Sequence, residues 1–444
     1  MTSHTIQDHF MVAMEDGSIH PKRNNGFEIP STIAEAVSLS VKLEIGELFG
    51  ESPDSQADGY EIDHVAHFFK HEVVLGKRLA SGSFADVYEI KTFAPDKSSE
   101  HSDTNPNEEI VRNALVSSAR NLLQGPTGGT YEYLDQSSVD DTGKFVVKHL
   151  RYKLVKDFDV YKRAAIDLAR EAKILSSLQH PNVVSLRGIS AHGVSGFATG
   201  SHDGFFLILN RLNETLEDKI GEWRTQHSRL HVETLDNQYA IAERLNAMID
   251  MANALAYIHQ QKVIHRDLKP ENFAINDAGQ FQIIDFGFAR KLPGEDMGNH
   301  THNRTYNLTG CTGSLRYMAP EVAAYEQYNE KADVYSSALL MYEILTLKKV
   351  FEGFDPMQMA TKVYHNHKRP RFPILFPGSL DGIRKKIKEA WSFDMSIRPT
   401  MKSMHDSLLV HSKSVLVNGD HKNRDSKSRH RFSFSRGTRS VPTT

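Results

Sequence analysis

Apolar positions in this chain change period as it proceeds, and the changes mark its elements. From Glu72, EVVLGKRLASGSFADVYEIK reads as strand, small-residue turn, strand. FVVKHL at 145–150 reads as a further buried strand, and Phe281 to Ile284 as another. After residue 150 the period is mainly helical. Tyr239 to Gln260 places Ile241, Leu245, Met248, Ala252, Leu255 and Ile258 along one stripe, which predicts a core helix. Asp333 to Leu347 predicts a second, mostly apolar helix. Near the N-terminus, Ser31 to Leu48 carries Ile33, Val37, Val41, Leu43 and Leu48 at helix-compatible spacing. That stretch is expected to belong to a partly ordered leader, with a docked helix as the alternative.

Composition divides the chain into zones. Residues 1–70 form a mostly polar extension. Residues 71–213 hold the strands and are interrupted at 94–142 by a polar insertion with nine acidic and three basic residues. An insertion of that length is either functional or disordered. Within it, NEEIVRNALVSSARNLLQGP has an Asn107 cap and a Gly-Pro stop, which predicts a transient solvated helix, with a partner-binding helix as the functional alternative. Residues 214–412 are helical, and 413–444 form a Ser/Arg-rich tail with eight Lys/Arg against two Asp. The tail reads as disordered, with nuclear import through its basic residues and phosphorylation at Ser433 or Ser440 as functional alternatives.

Charge and cysteine content narrow the classes. The net charge of −3 gives no basic field for nucleic acid, and Cys311 stands alone, so no disulfide can form within the chain. No run approaches the roughly 18 apolar residues of a membrane span. The N-terminal stretch lacks the basic and apolar regions of a secretory signal. An intracellular, chiefly cytoplasmic protein is expected.

Candidate chemistry comes from short polar motifs. HRDLKPEN at 265–272 follows the core helix directly. Asp267 can accept or orient a hydroxyl proton, Lys269 can reach a transferring phosphate, and Asn272 offers a neutral oxygen to Mg²⁺. DFG at 285–287 follows an apolar strand, which makes Asp285 the second metal ligand. Lys148 ends FVVK at the edge of a strand, where it can contact the α- and β-phosphates of ATP. Glu171, in LAREAKILSSLQHPNVV, is the residue expected to hold it there.

From about residue 72 to 410 these motifs resemble the eukaryotic protein kinase family. The resemblance extends to Ala319-Pro320-Glu321, to Asp333, and to Arg398 in RPT, which it pairs with Glu321. Lys269 is similar to serine/threonine enzymes, and Gly313-Ser314 to the tyrosine-kinase-like group. The fold implied is α+β and two-lobed: a small β-rich N-lobe with one main helix, a larger α-helical C-lobe, and an ATP cleft between them. The activity implied is Mg²⁺- and ATP-dependent phosphorylation of Ser/Thr hydroxyls on protein substrates. Leu209 is implied as gatekeeper, with the backbone of Asn210 and Leu212 bonding the adenine. Gly82 and Val87 are implied in the phosphate loop, and Leu175, Leu186, His265 and Phe286 as a column joining the lobes.

Two departures stand out. The phosphate loop reads Ala80-Ser-Gly82-Ser-Phe-Ala85-Asp-Val87, with alanine at two of the family's glycine positions. A stiffer loop and weaker ATP binding are expected, unless both alanines keep negative φ and cost nothing. Val146 replaces the usual alanine on one adenine wall and Ala274 the usual leucine on the other, read as a compensated pair. Arg266 is balanced in the family by a phosphate on the activation segment. Thr301, Thr305, Tyr306, Thr309 and Thr312 are candidate acceptors for an upstream kinase, Thr305 or Thr309 foremost. The rival reading from another class is a catalytically weak or inactive kinase-like scaffold.

Overall fold

The computed structural model describes residues 31–49, 62, 65–94, 144–227, 235–293, 304–374 and 376–412. The insertion helix expected from Asn107, the hydroxyl of Thr301 and the basic tail lie outside these residues. The chain forms two compact units. One takes Met1–Thr215, Tyr257–Asp267 and Asn272–Thr301; the other takes Leu216–Ala256, Leu268–Glu271 and His302–Thr444.

The first unit opens with helix α1 (Ser31–Phe49), followed by β1 (Ala66–Phe68), β2 (Val73–Ser81), β3 (Ala85–Phe93) and β4 (Phe145–Leu150). Helix α2 (Phe158–Ser176), β5 (Leu186–Ser190) and β6 (Phe206–Asn210) come next. The six strands form one sheet in the order β1-β5-β6-β4-β3-β2, antiparallel throughout except for β1 on β5. Strand alternation divides its faces. Phe145, Val147, Phe206, Ile208 and Ile90 share an apolar cluster with Phe68 and Val73. Val146, Lys148 and Leu209 therefore lie on the opposite face, with Val146 directly across from Leu209 and Lys148 across from Val87. A one-residue slip of β4 would send Lys148 into the apolar cluster, so the pattern sets the register.

Between β5 and β6 the chain makes a close backbone approach. A Cβ on Gly196 would lie 2.1 Å from the Gly204 carbonyl oxygen, so only glycine fits. The turn Gly193–Thr199 packs Phe197 edge-on to Tyr161 of α2.

Helix α1 packs on this turn and on α2. It buries Ala34, Val37, Val41 and Ile45 completely, at i, i+3, i+7 and i+11. Each larger aliphatic contributes roughly 1.5–3 kcal/mol by its removal from water. Leu43, expected in the apolar stripe, instead lies on the outer face and is 54% exposed. Ala34 and Ile45 complete the buried side in its place, because residues three, four, seven or eleven apart share a helix face whereas two apart, as 41 and 43 are, point to nearly opposite sides.

In the second unit the longer helices are α3 (Leu216–His227), α4 (Leu235–Gln260), α5 (Lys331–Thr346) and α6 (Asp381–Ala390), with a last helix over 401–412. The end of α4, from Tyr257, groups with the first unit. Leu245, Met248, Ala252, Leu255 and Ile258 of α4 are buried as their spacing predicts. Helix α5 is buried along most of its length and stops where Leu347 turns left-handed at φ 56°. Arg398 is fully buried and forks onto both carboxylate oxygens of Glu321, at 2.6 and 2.8 Å. It also donates to the carbonyls of Lys331, Ser392 and Phe393. Among the described residues no helix is long and apolar enough to cross a membrane.

Candidate active site

Lys148 lies within β4 rather than at its end, and strand alternation puts it on the sheet face opposite the apolar cluster. Its ammonium donates to both oxygens of Glu171, at 2.8 and 2.7 Å, and to Oδ1 of Asp285 at 2.8 Å. Burial opposes the charge on Lys148, but Asp285 and Glu171 outweigh it and raise its pKa above the usual lysine value. Glu171 sits on the inner face of α2 and is 1% exposed. Burial lifts its carboxyl pKa, and Lys148 draws it back. Oε1 of Glu171 also accepts the backbone N–H of Phe286 at 3.2 Å. One carboxylate thus joins helix, strand and the 285–287 segment.

Short strands position the metal-ligand candidates. After β7 (Val263–Ile264), β8 (Phe273–Ile275) and β9 (Phe281–Ile283) form a hairpin with Phe273 opposite Ile283. The N–H of Ile284 donates to the Asn272 carbonyl at 2.9 Å, so Asn272 and Asp285 flank one hairpin end. Asn272 Nδ2 donates to the carbonyl and to Oδ2 of Asp267, at 2.7 and 3.1 Å. Its amide oxygen therefore faces away from Asp267. The Asp285 side chain is 44% exposed and its backbone is left-handed at φ 60°. An amide oxygen and an exposed carboxylate at one hairpin end fit a hard divalent cation that takes its remaining ligands from nucleotide phosphates.

His265 orients Asp267. Its Nε2 lies 3.1 Å from the Ile284 carbonyl, which can only accept, so this nitrogen carries the proton. Its Nδ1 then accepts the Asp267 N–H at 3.3 Å. The His265 ring packs edge-on to Phe286 at 5.0 Å, and both are fully buried. Leu175 is buried and Leu186 half-buried. Lys269 is half-buried in Leu268–Glu271, which groups with the helical unit.

The nucleotide-facing candidates occupy the first unit. Val146 and Ala274 are both buried, as is Leu209. Asn210 is held by its N–H on the Ser185 carbonyl and by its side-chain oxygen, which accepts from Arg187 at 2.7 Å. Leu212 follows, half-buried. Gly82 lies at the tip of the β2–β3 hairpin, where its N–H donates to the Ala85 carbonyl at 2.8 Å. Ala80 and Ala85 both lie in strands and neither has positive φ. The alternative of alanines at negative φ is the geometry found.

Several polar residues around the site were not singled out in the sequence. Asp86 accepts Ser81 Oγ at 2.6 Å, and Arg151 Nη1 donates to the Gly82 carbonyl at 2.8 Å, which ties down the hairpin tip. Asp167 on α2 accepts Arg170 at 2.6 Å and Arg290 at 3.4 Å. Burial raises the Asp167 pKa, against the lowering pull of Arg290, Arg170 and Arg266. Arg266 itself donates to the Phe288 carbonyl at 2.7 Å. Of this cluster only Arg266 was singled out in the sequence; the place of Arg170 directly before Glu171 was a further signal that could have marked it.

Comparison with known proteins shows the family. A family profile described as the protein kinase domain matches residues 118–414. The match begins after the β2–β3 hairpin, within the insertion that separates it from β4. The chain is 30% identical over 243 residues to serine/threonine-protein kinase VIK of Arabidopsis thaliana, covering 53% of this chain and 48% of that protein. It is 29% identical over 238 residues to serine/threonine-protein kinase PrkC of Bacillus subtilis, covering 54% and 32%. Serine/threonine-protein kinase STY46 of Arabidopsis thaliana is 31% identical over 178 residues, covering 40% of this chain and 29% of its own. The chain thus spans about half of VIK and a third of PrkC. With the profile covering well over half of its length, and with one unit that carries the sheet and one that is helical, the chain belongs to the protein kinase domain family and has its two-lobed α+β fold.

Proposed function

We propose that this protein transfers the γ-phosphoryl group of ATP to serine or threonine hydroxyls of protein substrates, with Mg²⁺ as the divalent cation. The observation that carries the reading is Lys148 bonded at once to Glu171 and Asp285, with Asp267 and Asn272 bonded to each other beside them. The family implies use of ATP with a divalent metal. Asn272 and Asp285 would hold the cation, and its chemistry is to neutralise charge on the phosphates.

Each residue then has a task. Lys148 neutralises the α- and β-phosphates from a position that Glu171 fixes. Asp267 orients the substrate hydroxyl and takes its proton as the oxygen bonds to the γ-phosphorus. The bond from that phosphorus to the β,γ-bridging oxygen breaks, leaving ADP and a phosphoester. Lys269 offsets charge on the transferred group. The carbonyl of Asn210 and the N–H of Leu212 bond the adenine, between Val146 and Ala274, with Leu209 behind it. Preference for Ser/Thr is supported by Lys269 and by the names of the relatives. An upstream kinase acting on Thr305 or Thr309 is the corresponding proposal for control. Thr305 Oγ1 donates to Gln327 at 3.1 Å, and Tyr328 donates to the Thr309 carbonyl at 2.7 Å.

The test is radiolabelled phosphate transfer from Mg-ATP to a mixed peptide array, comparing wild type with Asp267→Asn. The expected result is labelling of Ser/Thr peptides by wild type, reduced by about 10²–10⁴-fold in the variant. Equal, near-zero labelling by both proteins overturns the reading in favour of a scaffold.

A further inference from the structure

Helix α1 lies upstream of the span that matches the protein kinase domain, yet it packs against the helix that carries Glu171. Its buried stripe of Ala34, Val37, Val41 and Ile45 is fully enclosed. Two polar links accompany the apolar contact. Ser38 Oγ donates to the Val194 carbonyl at 3.1 Å, which anchors α1 to the turn between β5 and β6. Glu44 Oε1 accepts Arg170 Nη2 at 2.6 Å. The Arg170 side chain is only 4% exposed, and its other arm is taken by Asp167 one turn earlier on the same helix.

Neighbouring residues on a helix point about 100° apart. Arg170 and Glu171 therefore face different partners, and a rotation of α2 that frees one displaces the other. From these contacts we infer that α1 is a positioning element for phosphoryl transfer, acting through the Glu44–Arg170 pair, which sets the rotation of α2 so that Glu171 meets Lys148. The inference rests on the kinase reading given above. The links run in one direction: α1 is seated on the β5–β6 turn by Ser38, it grips Arg170 by Glu44, and Arg170 orients the turn of α2 that carries Glu171. Glu44 and Ser38 touch neither Lys148 nor Asp285, so they are positioning residues and not catalytic ones.

The test uses the full chain with Glu44→Arg, Glu44→Asp and, as a control on the outer face of α1, Leu43→Arg. Kinetics with Mg-ATP and a labelled peptide are read beside hydrogen–deuterium exchange over Phe158–Ser176 and the melting temperature. Glu44→Arg is expected to lower kcat roughly tenfold, within the usual range of coupling between sites. The peptide KM and the melting temperature should hold, and exchange should rise in α2. Glu44→Asp, which keeps a carboxylate, should recover most of the rate, and Leu43→Arg should match wild type. A kcat unchanged in Glu44→Arg, or a loss equalled by Leu43→Arg, overturns the inference. If wild type is itself inactive, the kinase reading fails, and the inference fails with it only if exchange in α2 is also unchanged by Glu44→Arg.

Discussion

Glu343 is a carboxyl group placed where its type is seldom found, in a buried helix. It lies in α5, fully buried, accepting the Val350 N–H at 2.6 Å and the Tyr317 hydroxyl at 3.2 Å. Burial pushes its carboxyl up to about 7 from the ordinary 4.5. The folded value lies above the unfolded one, so folding favours the protonated form. Its contribution to stability is full below about 4.5 and is lost as pH rises through about 7, a change on the order of 3 kcal/mol. Glu343→Gln keeps the acceptor oxygen for Val350 and has no proton to lose. Denaturant unfolding between pH 5 and 8 is expected to show falling stability in wild type and a flatter profile in the variant. Equal slopes would assign the pH dependence to other groups. At the same scale the catalytic candidates were legible because their motifs are contiguous: Asp267, Lys269 and Asn272 lie within eight residues. Arg170 with Glu44, 126 positions apart, was not, because no local pattern links two such distant residues.

At the scale of elements, FVVKHL, the core helix and the segment from Asp333 read from sequence as the elements they form, since each has a clear period and a clear length. The β2–β3 hairpin was legible as strand-turn-strand, but the effect of its alanines was not. Only the backbone shows that Ala80 and Ala85 avoid positive φ and sit within paired strands. Glycine there would add freedom to the unfolded chain without relieving strain. Ala80→Gly with Ala85→Gly is expected to cost about 0.5–1 kcal/mol per site in stability while leaving the KM for ATP unchanged. A markedly lower KM in the double variant would restore the view that alanine handicaps this loop. For α1 the sequence supported a stripe but not what it packs against. The turn at Gly193–Thr199 and α2 supply the covering surface, and they come from segments more than a hundred residues away.

For the whole molecule, ligand binding should act on stability as well as on rate. The oxygens of Asn272 and Asp285 are proposed to engage nucleotide only with a divalent cation, so the two should stabilise the fold jointly. At a hundredfold excess over Kd, a ligand that binds only the native state adds about 2.7 kcal/mol. Mg-ATP is expected to raise the melting temperature of Asp267→Asn, which cannot turn over, and EDTA should abolish most of the rise. A shift that survives chelation would argue against the assigned metal ligands. By itself the sequence determined the family, the strand and helix periods around the site, and the identity of its polar residues. These are properties of contiguous segments, in which spacing alone carries the information. The tertiary structure decided that Glu171 joins Lys148 and the Phe286 N–H, that the two loop alanines are unstrained, and that α1 grips Arg170. Each of these depends on which distant surfaces become neighbours when apolar faces are buried together, and the linear order of residues does not encode that in any single stretch.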